Sequence, residues 1–104
     1  MTDFIIISTT TDSRDVAQSI ASYLVEKKLA ACIHIHEKVT SFFRWQKKVE
    51  KGIEFSLKIK TKRSLFAKVA EEIKQKHNYT VPQIISVSID AVSQDYEKWL
   101  SESL

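Results

Sequence analysis

EFSLKIK, residues 54–60, alternates without a break: Phe55, Leu57 and Ile59 fall on one side of an extended chain, and Glu54, Ser56, Lys58 and Lys60 on the other. A period of two with one apolar side describes a strand in a sheet covered on one face, as antiparallel sheets commonly are. The flanking segments extend that reading. Upstream, QKKVEKG (46–52) contains the chain's only glycine, Gly52, and reads as the turn of a hairpin. Before it, the chain from Ala30 through SFFRW (41–45) to about Trp45 is rich in β-branched and aromatic residues and reads as one long strand. Its first part, AACIHIHEKV (30–39), alternates in turn, with Ile33 and Ile35 on one side and Cys32, His34 and His36 on the other.

Further outward, DFIIIST (3–9) is apolar on both faces, which suits the middle of a sheet. TTTDSRD (9–15) turns into a helix over 13–28, with Asp12 or Ser13 as N-cap, Asp15 at the positive end of the dipole, and Val16, Ala17, Ile20 and Leu24 at helical spacing. After EFSLKIK, Thr61 or Ser64 caps a second helix to about Lys76, whose apolar stripe is Leu65, Phe66, Val69, Ala70 and Ile73. Pro82 removes a donor and marks entry into the strand QIISVSID (83–90), with Ile85, Val87 and Ile89 expected on the core face. Ser93 caps a short C-terminal helix bearing Tyr96, Trp99 and Leu100, to pack on the sheet or on a neighbour. The expected fold is α+β, a ferredoxin-like βαββαβ antiparallel sheet with helices on one face and an extra C-terminal helix, as one domain over residues 1–104. Cys32, His34 and His36 then share the helix-free face with Lys58, Ser86 and Ser88. That face is solvated, paired with another subunit, or a site.

Composition narrows the function. A chain of 104 residues, 43% hydrophobic and 28% charged, has room for one core, and burial at this size leaves a sheet face for another subunit to cover. Sixteen Lys and Arg against thirteen Asp and Glu give +3, modest for a nucleic-acid binder and ordinary for a solvated surface. No apolar run approaches the roughly 20 residues of a membrane span, and Phe4 to Ile7 is too short for a signal peptide, so a cytoplasmic location is expected. One cysteine excludes an intrachain disulfide. Glycine-rich phosphate loops, GxSxG, HExxH and CxxC are all missing, and no enzymatic activity is expected. The basic and aromatic pattern of an RNA-binding sheet is missing from EFSLKIK, so Phe42, Phe43, Arg44 and Trp45 read as a packing surface.

Two histidines at i and i+2 on a strand can share an ion, and thiolate with imidazole suits copper or zinc. Against that, Cys32 to His36 spans roughly 13 Å, too far for three ligands on one ion, and a buried cysteine beside surface or interface histidines is the ordinary alternative. His77, in KHNYTVP, is either a ligand from a second element or a helix C-terminal cation.

Four stretches, VEKKLAACIHI (25–35), SFFRWQKKVE (41–50), SLKIKT (56–61) and HNYTVPQII (77–85), together resemble the CutA divalent-cation tolerance family, and the resemblance runs from FIIIST to YEKWLSES. It implies a cytoplasmic homotrimer in which the hairpin reaches across to neighbours, with a link to copper and other divalent metals. Likeness to the trimeric PII signalling proteins implies the rival reading, an adaptor that binds a small molecule or protein partner in its intersubunit cleft. No cofactor is required, copper or zinc being the candidate ions, and neither nucleic acid nor membrane is an expected partner. Residue by residue, Cys32 and His77 match positions regarded as metal contacts, while Trp45, Lys60, Thr61, Tyr79 and Pro82 match positions that shape the cleft. The chain departs from the family at His34, where asparagine is common, at Lys47, where glycine often makes the hairpin turn, at Thr80, where an acidic residue is frequent, and at Ser8, where some members carry a cysteine. The expected metal set is Cys32, His34 and His77.

Overall fold

The computed structural model describes residues 2–104. The elements run β1 (Phe4–Thr11), α1 (Arg14–Glu26), β2 (Cys32–Trp45), β3 (Lys48–Lys62), a 3-10 turn (Arg63–Leu65), α2 (Phe66–Lys76), β4 (Ile85–Ser88) and α3 (Gln94–Glu102). Strand order is β2-β3-β1-β4, and every neighbouring pair is antiparallel.

Helices α1 and α2 cover one face. Ile5 and Ile7 of β1 and Leu57 and Ile59 of β3 meet Ala17, Ile20 and Leu24 of α1 and Val69 and Ile73 of α2, all fully buried. Ile33, Ile35 and Phe55 pack at the margin of this cluster, on the side the alternation assigned them. Each buried Leu or Ile contributes about 1.5–3 kcal/mol, so this layer holds the fold together. Helix α1 begins as expected, with Ser13 Oγ accepting from the Val16 N–H at 3.2 Å. Helix α2 does not. Thr61 lies inside β3, where its buried hydroxyl donates to Leu29 O at 2.7 Å, and the 3-10 turn at 63–65 leads into α2 without a side-chain cap. Ser93 occupies the N-cap position of α3, also without a capping hydrogen bond.

The hairpin differs from expectation in two ways. Trp45 pairs with Lys48, so the turn is Gln46–Lys47, both at positive φ (50° and 67°), whereas Gly52 sits within β3 opposite Ser41. Two left-handed residues in a two-residue loop match the twist of the flanking strands, a requirement that here overrides the side chains' aversion to that region. Then a bulge falls between His36 and Val39, with Lys38 at φ 60°. The extra residue flips the alternation, so Val39, Ser41, Phe43 and Trp45 continue the face of Cys32, His34 and His36.

β4 is a correction. Pairing sets Cys32, Lys60, Ile6 and Val87 in one row and His34, Lys58, Ser8 and Ile85 in the next. Ile85 and Val87 therefore lie on the face away from α1 and α2, both about half exposed, and Ser86 and Ser88 take the helix side. The doublet Ile84–Ile85 permits either register, and it is Ile84 that packs on the core. Ile89, expected in line with them, packs in a second cluster with Phe4, Ala31 and Leu100. Helix α3 joins the sheet there, through the fully buried Leu100, on the face opposite α1 and α2. So "helices on one face" holds for α1 and α2 only.

Beyond the bulge, β2 and β3 run on as a two-stranded arm with Phe42, Phe43, Trp45, Val49 and Ile53 all exposed. The arm accounts for the elongated envelope of 45 × 25 × 23 Å and a radius of gyration of 14.3 Å, against about 13 Å for a rounded chain of this length.

Candidate functional site

Cys32 and His34 project from neighbouring rows of β2 on the face that α1 and α2 leave open. The thiol sulfur stands 3.6 Å from His34 Nε2. A tetrahedral ion with ordinary metal–sulfur and metal–nitrogen bonds holds its two ligand atoms roughly 3.5 Å apart, so the pair already has the bite of a chelate. Two lysines lie across from it, Lys60 opposite Cys32 and Lys58 opposite His34. Both are drawn aside: Lys58 Nζ donates to Ser8 Oγ at 3.2 Å, and Lys60 Nζ donates to Tyr96 Oη at 3.1 Å while lying over the Tyr96 ring. His36 is exposed one row further, opposite Ser56.

His77 stands elsewhere. Its Nε2 donates to Thr10 O at 2.8 Å, its Nδ1 accepts from the Tyr79 N–H at 3.0 Å, and its ring packs against the Tyr79 ring. Both nitrogens are engaged, Nε2 in joining the end of α2 to β1 and Nδ1 in a local turn to Tyr79. Thr10 lies four residues along β1 from Ile6, the residue in line with Cys32, a separation of about 13 Å along the strand. The structure thus brings Cys32 and His34 together and leaves His77 apart. Among the described residues no three His, Cys, Asp or Glu side chains gather into one ligand set.

The residues expected in a cleft divide likewise. Trp45 and Tyr79 line a groove of about 820 Å³ between the arm and residues 78–83, along with Phe43, Asp12 and Glu54. Pro82 sits between two lining residues, Val81 and Gln83. Lys60 and Thr61 belong to other surroundings, Lys60 under α3 and Thr61 in the sheet interior. The HNY segment docks residue by residue: beyond the His77 bonds, Thr11 Oγ1 donates to Asn78 Oδ1 (2.6 Å), Asn78 Nδ2 donates to Asp12 Oδ1 (2.8 Å), and Tyr79 Oη donates to Glu54 Oε2 (2.6 Å). Burial, then the hydrogen bond and negative charge of Glu54, push the Tyr79 phenol well above its ordinary range. Sequence reasoning put Glu54 on the polar face and missed its burial, because nothing in the alternation reveals that residues 77–83 fold over it.

Among the described residues no helix is long and apolar enough to cross a membrane. Residues 5–103 match the family model described as CutA1 divalent ion tolerance protein. The chain is 40% identical over 98 residues to the divalent-cation tolerance protein CutA of Thermus thermophilus, covering 94% of this chain and 95% of that one. It is 39% identical to the Archaeoglobus fulgidus protein of the same name, over 100% of this chain and 99% of the relative. The solved structure from that archaeon, described as a periplasmic divalent cation tolerance protein, superposes with a TM-score of 0.92 at 38% identity, covering 96% and 97% of the two chains. The CutA of Xylella fastidiosa gives 0.94 at 28% identity, covering 98% of each chain. The chain belongs to the CutA1 divalent ion tolerance family.

Proposed function

We propose that the chain works by binding divalent cations, copper or zinc in particular, as a ferredoxin-like homotrimer without enzymatic activity. The Cys32–His34 pair holds the ion. The observation that carries this is the 3.6 Å separation of Sγ and Nε2 on an open face, a bite that fits a tetrahedral ion before any rearrangement. Two ligands leave two positions for water, for an incoming ligand, or for a side chain of another copy. His77 was expected as the third ligand and can serve only by giving up the bond to Thr10 or to Tyr79.

Assembly is supported by the arm. A two-stranded ribbon is marginal alone in water, and one that exposes Phe42, Val49 and Ile53 on the face opposite Phe43 and Trp45 calls for a covering surface there. The number three comes from the family resemblance. Light scattering on the eluting protein should return three times the 12.0 kDa chain mass, and a peak at the single-chain mass would contradict the trimer.

Calorimetric titration with Cu(II) and Zn(II) tests the ion site. Wild type should bind, Cys32→Ala and His34→Ala should each weaken binding by about tenfold or more, and His77→Ala should leave it nearly unchanged. Undiminished affinity in both Cys32→Ala and His34→Ala would remove the pair from the site. We place the protein in the cytoplasm, in keeping with its single free cysteine. Recovery in an exported fraction would overturn that placement.

A second reading is favoured by the groove at Tyr79: a PII-like adaptor that takes a small molecule or a protein partner there. With Trp99 replaced by Phe so that Trp45 alone reports, quenching of its fluorescence by nucleotides or small anions, lost in Tyr79→Ala, would support it.

A further inference from the structure

Two carboxylates of equal burial are treated differently in this fold. Glu72 and Glu54 are each 7% exposed. Glu72, on α2, is compensated: Lys76 and Lys68 lie at 3.4 and 3.6 Å, and the Tyr23 hydroxyl donates to it. Glu54 has one hydrogen bond, from Tyr79 to Oε2, and no Lys, Arg or His among the described residues stands within ion-pair distance of it. A buried carboxylate without a cation is costly, and such a group facing an open groove is an incomplete charge pair.

The nearby cations do not complete it. Arg44 lines the same groove, but it pairs with Val49, five residues along β3 from Glu54 and about 17 Å away, beyond the reach of its side chain. Lys51 lies over the Phe42 ring, and Lys58 is bonded to Ser8. Around Glu54 the groove adds a second carboxylate, Asp12, and the aromatic rings of Phe43, Trp45 and Tyr79. Its volume, about 820 Å³, lies in the range of small-molecule sites. The donor set does not favour a divalent ion: Glu54 Oε2 is taken by Tyr79, Asp12 Oδ1 is taken by Asn78, and much of the rest of the lining is aromatic. It suits an ammonium, which brings three donors and is attracted to aromatic faces.

We propose that this groove binds a small organic cation, a primary ammonium carried on an apolar or aryl tail. The ammonium meets the free Oε1 of Glu54 within the negative field of Asp12, and the tail lies against Phe43 and Trp45. This is independent of the Cys32–His34 pair. It rests on the adaptor reading of the groove and gives that reading a ligand class.

The test uses phenethylamine and its uncharged counterpart 2-phenylethanol, followed by calorimetry and by Trp45 fluorescence in a Trp99→Phe background on the assembled protein. Wild type should bind phenethylamine saturably and at least about tenfold more tightly than the alcohol. Glu54→Gln, which keeps the shape and an acceptor for Tyr79, should abolish that preference. Trp45→Ala should weaken both compounds. Equal affinity for amine and alcohol, or undiminished amine binding in Glu54→Gln, would overturn the proposal. So would a change of assembly mass in Glu54→Gln, since the missing cation would then belong to another copy of the chain. Nucleotide quenching of Trp45 in a protein that ignores phenethylamine would sink the ammonium site and leave the adaptor reading standing.

Discussion

On the helix-covered side of the sheet Ile7, Leu57 and Ile59 have no exposed surface, whereas one position along the same strands Lys58 is half-buried and, in its row, His34 and Ile85 face outward. The covered side is a dense apolar layer beneath α1 and α2. The open side mixes a thiol, imidazoles, lysines and unpartnered Ile and Val, and it continues into an aromatic arm. Only the first composition follows from folding the chain on itself. On the proposed function the second reflects what binds to it, so substitutions on the two sides should fail in different assays.

The largest effect belongs to the covered side. Leu57→Ala should cost about 2–5 kcal/mol in chemical denaturation, from lost transfer energy plus the cavity left behind. His34→Ala, one position along the sheet on the open face, should stay within about 0.5 kcal/mol of wild type while losing ion affinity. A His34 variant as unstable as the Leu57 one would break the distinction.

The arm sharpens it. Lys47 holds φ 67° at the hairpin turn without glycine's freedom, so Lys47→Gly should stabilise the protein by about 1 kcal/mol. Gly52→Ala should be mildly stabilising, since a Cβ there meets only the Phe43 ring at an ordinary 3.8 Å. If Gly52 were the turn, as its sequence position suggests, both substitutions would destabilise instead.

The smallest effect is in pH. Tyr79, whose phenol is raised above its ordinary value of 10.0 by burial and by Glu54, keeps its proton in the folded state after the unfolded chain has lost it. Its contribution to stability is therefore complete below about pH 10 and falls away as pH rises further. Tyr79→Phe should flatten the alkaline limb of the denaturation profile and leave the neutral region's pH dependence unchanged. An alkaline limb as steep as that of wild type would place the titrating group elsewhere.

The covered side was the legible one. The alternation of EFSLKIK and the helical spacing of Ala17, Ile20 and Leu24 report a local preference that the core satisfies directly. The open side depended on features with no such periodicity. A bulge at His36–Val39 shifts the arm's faces, and ISVS fits a sheet edge in either register. The Gln46–Lys47 turn is set by strand twist against side-chain preference, so the lone glycine pointed to the wrong residue. Of the residues expected to bind metal, the juxtaposition of Cys32 and His34 was legible because they share one strand, while the placement of His77 depended on a hydrogen bond from the end of α2 to Thr10 of β1. Glu54 was hidden because its burial depends on residues more than 20 positions away in the chain.

The open side's central claim is that Cys32 and His34 jointly hold a divalent cation, and Co(II) reports thiolate ligation directly through its sulfur-to-metal charge-transfer absorption. Titrated into the assembled protein, Co(II) should raise that band in wild type, give no band with Cys32→Ser, and give a weaker, later-saturating band with His34→Ala. Co(II) binding with no charge-transfer band in wild type, or a band indifferent to His34, would contradict it.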